Sequence, residues 1–99
     1  MTDMKKDDRR VLSFRARKTL RMADQNFLRL GPEDEKTITD AFARIGTPNA
    51  DITKLSSAFL ARTLTEELER SLTSGENNVT EILFGLHVIN NHLRKRKNK

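Results

Sequence analysis

Apolar residues along this chain return at intervals of three and four, and three punctuated breaks divide the pattern into four segments. The breaks are Gly31-Pro32, Gly46-Thr47-Pro48-Asn49 and Ser74-Gly75-Glu76-Asn77-Asn78. Pro32 followed by Glu33, Asp34 and Glu35 marks a helix start, because proline fits the first turn and acids there complement the helix dipole. Ile38, Ala41, Phe42 and Ile45 then share one face, so the spacing predicts a helix over 32–45 with Gly46 placed to cap it. In the third segment, 52–72, the apolar side is Ile52, Leu55, Phe59, Leu60, Leu64, Leu68 and Leu72. Asp51 or Thr53 is available as its N-cap, and Glu66, Glu67 and Glu69 lie outside. The fourth, 78–94, carries a stripe of Val79, Ile82, Leu83, Leu86, Ile89 and Leu93, with Phe84 and Val88 off it. A helix apolar on more than one side is either central or covered by another subunit.

The first segment admits two readings. As a helix, Leu12, Ala16, Leu20, Ala23, Phe27 and Leu30 recur at four, four, three, four and three, in a composition that favours helix. As strands, residues 11–15 and 25–30 each hold a short alternation. The expected fold is therefore all-α with about four helices, or the same layout with one short N-terminal β-strand forming an intersubunit ribbon. Residues 1–99 make a single domain, with a flexible arm at 1–9, a helical core at 10–93 and a basic tail at 94–99.

Composition narrows the options. Only 35% of residues are hydrophobic, 33% are charged, and there is no Trp or Tyr, so the five Phe residues are expected to carry much of the core. A core this small favours a partner subunit, and the two-sided fourth helix makes a homodimer the expectation. The absence of cysteine excludes disulfides and thiolate metal sites and fits a reducing compartment. No apolar run is long enough for a bilayer, so a cytoplasmic protein without a membrane partner is expected. His87 and His92 are five apart on one helix and turn away from each other, which does not suit a shared metal. No cofactor is implied. The acids at 33–35 are explained by a helix N-terminus, and neither a phosphate loop nor a nucleophile motif is present, so the chain does not read as an enzyme.

Charge is unevenly spread. Residues 1–30 hold nine Lys/Arg against four Asp/Glu, residues 31–76 five against nine, and residues 77–99 five against one. Two basic ends around an acidic middle suit contact with a polyanion. The candidate nucleic-acid-binding residues are Arg9, Arg10, Arg15, Arg17, Lys18, Arg21 and Arg29, together with Arg94, Lys95, Arg96 and Lys97 of the tail. Without Trp or Tyr, and with the Phe residues assigned to the core, no platform for stacking single strands is evident, which favours duplex DNA over RNA.

The stretch Phe27-Leu28-Arg29-Leu30-Gly31-Pro32-Glu33-Asp34 resembles the strand-to-helix junction of ribbon-helix-helix DNA-binding proteins, the Arc-type phage repressors and their plasmid relatives. The apolar-Arg-apolar triplet at 28–30, the Pro-Glu start at 32, the helix to Gly46 and Ser56-Ser57-Ala58-Phe59-Leu60 in the next helix fit that layout over residues 25–72. The loop from Gly46 to Thr53 and the segment before residue 25 are longer than the family's. The resemblance implies a dimer whose paired strands lie in the major groove and read base edges, as in transcription regulation. Residues 76–82 are also similar to Asn-rich helix starts of plasmid mobilisation accessory proteins. Function is thus expected to be that of a small dimeric DNA-binding repressor or plasmid or phage accessory factor. The alternatives are a helical protein-interaction module, such as an inhibitor, antitoxin or assembly factor, and an RNA-binding helical protein.

Overall fold

Four helices, α1 (Lys6–Met22), α2 (Pro32–Arg44), α3 (Ser57–Ser74) and α4 (Val79–Lys97), and a 3-10 turn at Ile52–Lys54 make up a computed structural model that describes residues 6–47, 50–75 and 79–97. The all-α, four-helix expectation holds. Among the described residues no strand forms, and residues 25–30 contribute one isolated antiparallel bridge, Phe27 to Ser56. None of the helices among them is long and apolar enough to cross a membrane.

Two boundaries differ from the sequence pattern. α1 begins at Lys6, so residues 6–9, expected in the flexible arm, are helical, while residues 1–5 of that arm lie outside the described residues. α1 also stops at Met22, although the apolar spacing continues to Leu30. The cause is a competing use of the backbone. The Asp24 carboxylate accepts the Asn26 N–H at 2.9 Å, a local bond that draws such residues out of helices. The carbonyls of Asp24 and Asn26 then accept the N–H groups of Ala58 (2.8 Å) and Ser57 (2.9 Å). Those are first-turn donors of α3, which a helix cannot satisfy from within. Ser56 completes the cap, its Oγ accepting the Phe59 N–H at 3.1 Å. Asp51, expected to cap this helix, caps the 3-10 turn instead through the Thr53 N–H at 3.2 Å.

Ser57 ties this junction together. It is fully buried, and its Oγ accepts the Asp24 N–H at 2.9 Å. Ser57→Ala leaves that donor without its partner, so the urea midpoint should fall by an amount equivalent to about 1–3 kcal/mol. An unchanged midpoint would mean that the 24–26 segment does not anchor α3.

The core lies between α2, α3 and α4, where Ile38, Phe42, Leu60, Leu64, Ile82 and Ile89 are buried. α1 lies over α3 and α4, burying Ala16, and the Thr65 hydroxyl reaches the Ala16 carbonyl at 3.4 Å. Phe42 alone among the Phe residues enters the core. Phe14, Phe27, Phe59 and Phe84 are 50–63% exposed, which corrects the expectation that phenylalanine supplies much of it. The small residues Ala41, Ala61 and Gly85 let the helices approach closely enough for aliphatic side chains to fill the interior. Leu86 is buried within its own chain, so Leu86→Asp would unfold the protein and cannot report on a dimer.

α1 is pinned to α3 by a charged contact. Arg17 Nε and Nη2 donate to the two carboxylate oxygens of Glu69 at 2.7 and 2.9 Å, and the Ser13 hydroxyl donates to the same carboxylate. These bonds, Arg17 first, hold the Glu69 carboxyl below its usual range against the opposing effect of burial. A carboxyl with a depressed folded pKa contributes stability that is complete above its unfolded value, 4.5, and is lost as pH falls through the folded one. Glu69→Gln should therefore flatten the acid side of a plot of melting temperature against pH. An acid limb identical to that of the unchanged protein would show that the pair contributes nothing.

Candidate nucleic-acid interface

The basic ends of the chain meet at the C-terminal half of α4. There α1 and α4 border a groove of about 710 Å³, whose apolar lining is Leu12, Ala16, Met22, Leu83 and Leu86, none of them exposed, with Phe84 exposed beside them. Arg15 and Lys18 from α1 and Arg94 from α4 stand along it, beside Phe84 and His87, and no acidic residue lines it among the described residues. A smaller groove of about 360 Å³ lies against residues 27–29 and is lined by Phe27, Leu28, Arg29, His92, Lys95 and Arg96. Helical geometry explains the division: consecutive residues 94, 95 and 96 point about 100° apart, so one turn of α4 serves both grooves.

The expected contact residues separate into two groups. Arg9, Arg10, Arg15, Lys18, Arg21, Arg29, Arg94 and Lys95 are exposed. Arg10, Lys18 and Arg21, with Phe14 between them, recur at four, four and three and so share the outer face of α1. Arg17, in contrast, is engaged with Glu69, and Arg96 with Asp24 at 3.2 Å. The Asn26 N–H is the main cause holding the Asp24 carboxyl below its usual range, with Ser57 and the charge of Arg96 adding to it against burial. Lys97 closes α4, its side chain lying outside what is described. Residues 94–97, expected as a separate tail, are a continuation of α4. Arg29 lies beyond the end of α1, in the connection to α2.

Some cations of the acidic middle are paired as well, although Lys36 and Arg62 have no ion-pair partner among the described residues. Arg44 pairs with Glu81 at 3.1 Å, Lys54 with Asp51 at 3.9 Å, and Arg70 with Glu67. Arg15, Lys18, Arg21, Arg29, Arg94 and Lys95 have no ion-pair partner among the described residues. Their charge is left facing solvent around one end of α4.

Three features of this surface lay outside the sequence-based set. Phe84 and Phe27 each border a groove, and Asn90 sits on the floor of the larger one, its Oδ1 3.3 Å from the Thr19 hydroxyl. Phe84 had a visible signal, since it falls off the apolar stripe of its helix. Asn90 and Thr19 had none, because their proximity depends on how α1 crosses α4. His92, which position near the basic tail would leave exposed, is half-buried with Nε2 2.9 Å from Asp34 Oδ2. Among the described residues no cluster of three or more His, Asp or Glu groups could hold a metal ion. No family model, curated protein or solved structure matches the chain.

Proposed function

We propose that this protein binds nucleic acid through the basic band formed by α1, Arg29 and the C-terminal turn of α4. The observation that carries the proposal is the gathering of cations from both ends of the chain, Arg15 and Lys18 with Arg94, in a groove that, among the described residues, no carboxylate lines and no ion pair crosses. Self-repulsion among such charges is relieved by a polyanion, and each phosphate they neutralise releases counterions. Arg17 shares its guanidinium with Glu69, so its charge is partly compensated before any phosphate arrives. The preference for duplex over single strands rested on phenylalanine in the core, and Phe27 and Phe84 stand outside it.

The test is a salt titration of binding to a labelled oligonucleotide, followed by fluorescence anisotropy. The triple variant Arg15→Gln, Lys18→Gln, Arg94→Gln alters only exposed positions. It should bind roughly tenfold or more weakly at low salt, with a slope of log affinity against log salt shallower by about 2 to 3. Equal affinity and equal slope for the two proteins would refute the band.

Homodimer formation belongs to the same proposal. Its support is the exposure of Val11 and Phe14, 48% and 63%, on α1, and because Phe14 lies among Arg10, Lys18 and Arg21, a dimer through this face would compete with nucleic acid for those cations. Sedimentation should give a dimer that Phe14→Ser shifts to monomer, and a monomer at all concentrations would remove it.

A further inference from the structure

We propose that the α1–α4 groove takes single-stranded polynucleotide, seating an unpaired base against Phe84 with its phosphates on Arg15, Lys18 and Arg94. This deepens, and rests on, the nucleic-acid reading above. Phe84 is 59% exposed and borders the groove. Leaving an aromatic face in water forgoes burial, whereas an unpaired base recovers it by stacking.

The floor supports the same occupant. Phosphate contact alone would call for a charged surface, yet between the cations this groove offers Leu12, Ala16, Met22, Leu83 and Leu86. A base has apolar faces and polar edges. The polar groups on the floor are suited to those edges: Asn90 is half-buried, its Oδ1 faces the Thr19 hydroxyl, and its amide NH2 donates to no group among the described residues. An amide side chain offers donor and acceptor together, which matches the edge of a base. In a duplex the base faces are covered by stacking and the Watson–Crick edges are paired, so Phe84 would have no base face to stack on and the groove would be left with charge and groove-edge contacts. The smaller groove repeats the combination, with Phe27 60% exposed beside Arg29 and Lys95.

The experiment compares labelled poly-dT and poly-rU oligonucleotides with a duplex of equal length and with a synthetic acidic Leu/Glu amphipathic peptide, at about 50 and about 200 mM salt. Either or both single strands should bind at least about tenfold more tightly than the duplex, the two arms showing whether the sugar matters. Phe84→Leu should weaken single-strand binding by roughly five- to a hundred-fold at unchanged melting temperature, while leaving duplex binding as it was. Phe59→Leu, at a ring 50% exposed but lining neither groove, should change nothing. Equal affinity for strand and duplex, or binding indifferent to Phe84→Leu, would overturn the single-strand proposal and leave the basic band standing. Tighter binding of the acidic peptide than of any oligonucleotide would assign the groove to a protein partner. Binding to none of the polynucleotides would overturn both this inference and the reading it rests on.

Discussion

Phe42→Ala is expected to destabilise the protein by about 3–5 kcal/mol, the range for removing a buried aromatic side chain. Phe42 is 2% exposed and is the only phenylalanine in the core. Its ring belongs to a core cluster that is otherwise aliphatic, and packed interiors relax only in part around a lost side chain. A single domain of this size has about 5–15 kcal/mol of total stability, and the substitution would remove a large share of it. At about 4–8 °C per kcal/mol for a small domain, the melting temperature should drop by tens of degrees or the variant should fail to fold. Phe59→Ala on α3 should shift it little, since that ring is half exposed. Equal losses at the two positions would contradict the assignment of inside and outside on these helices.

The second large effect is expected at Gly85. A Cβ built there would lie 3.0 Å from Leu64 Cδ1 and 3.1 Å from Ala41 Cβ, so α2 and α3 both press on α4 at this glycine. Gly85→Val adds branched carbons into that contact and should cost about 1–3 kcal/mol by overpacking, despite the better helix propensity of valine. Gly85→Ala tests the finer balance. The alanine methyl gains about 1 kcal/mol of helix propensity and meets the flexible end of Leu64 on one side and the less yielding Ala41 on the other. A double variant Gly85→Val, Leu64→Ala should recover part of the loss of Gly85→Val, because the space vacated at 64 adjoins the added carbons. Independent, additive losses would show that the two residues do not share that space.

The number of helices and most of the interior were legible in the three- and four-residue spacing, and the predicted 32–45 helix differs from α2 by one residue at its end. Gly46, with φ +93°, follows α2 in the left-handed region where a side chain would be strained, as its position after the apolar run implied. What the pattern could not show was tertiary competition for the backbone. The spacing of Ala23, Phe27 and Leu30 fits a helix as well as that of Leu12, Ala16 and Leu20. Only the demand of α3 for acceptors at Asp24 and Asn26 ends α1 at Met22. The exposed phenylalanines were missed for a related reason: hydrophobicity predicts burial on average, and an aromatic kept at the surface is indistinguishable by type from one inside. Of the candidate site, the cations were legible from charge alone. Their sorting into paired and unpaired groups was not, because Glu69 and Asp24 reach Arg17 and Arg96 across long stretches of sequence.

The most direct measurement of the central claim is a titration of the isotope-labelled protein with a single-stranded oligonucleotide, followed by amide chemical shifts. Shifts should concentrate at Arg15, Lys18, Arg29, Arg94 and Lys95, and at Asn90 on the groove floor, and they should weaken together as salt is raised. Lys36 and Arg62 are exposed cations on α2 and α3 outside both grooves, and their amides should stay in place. Shifts of equal size at Lys36 and Arg62 would mean that the polyanion gathers on any positive charge, and shifts confined to α2 and α3 would place the interface elsewhere; either result would contradict binding by the basic band.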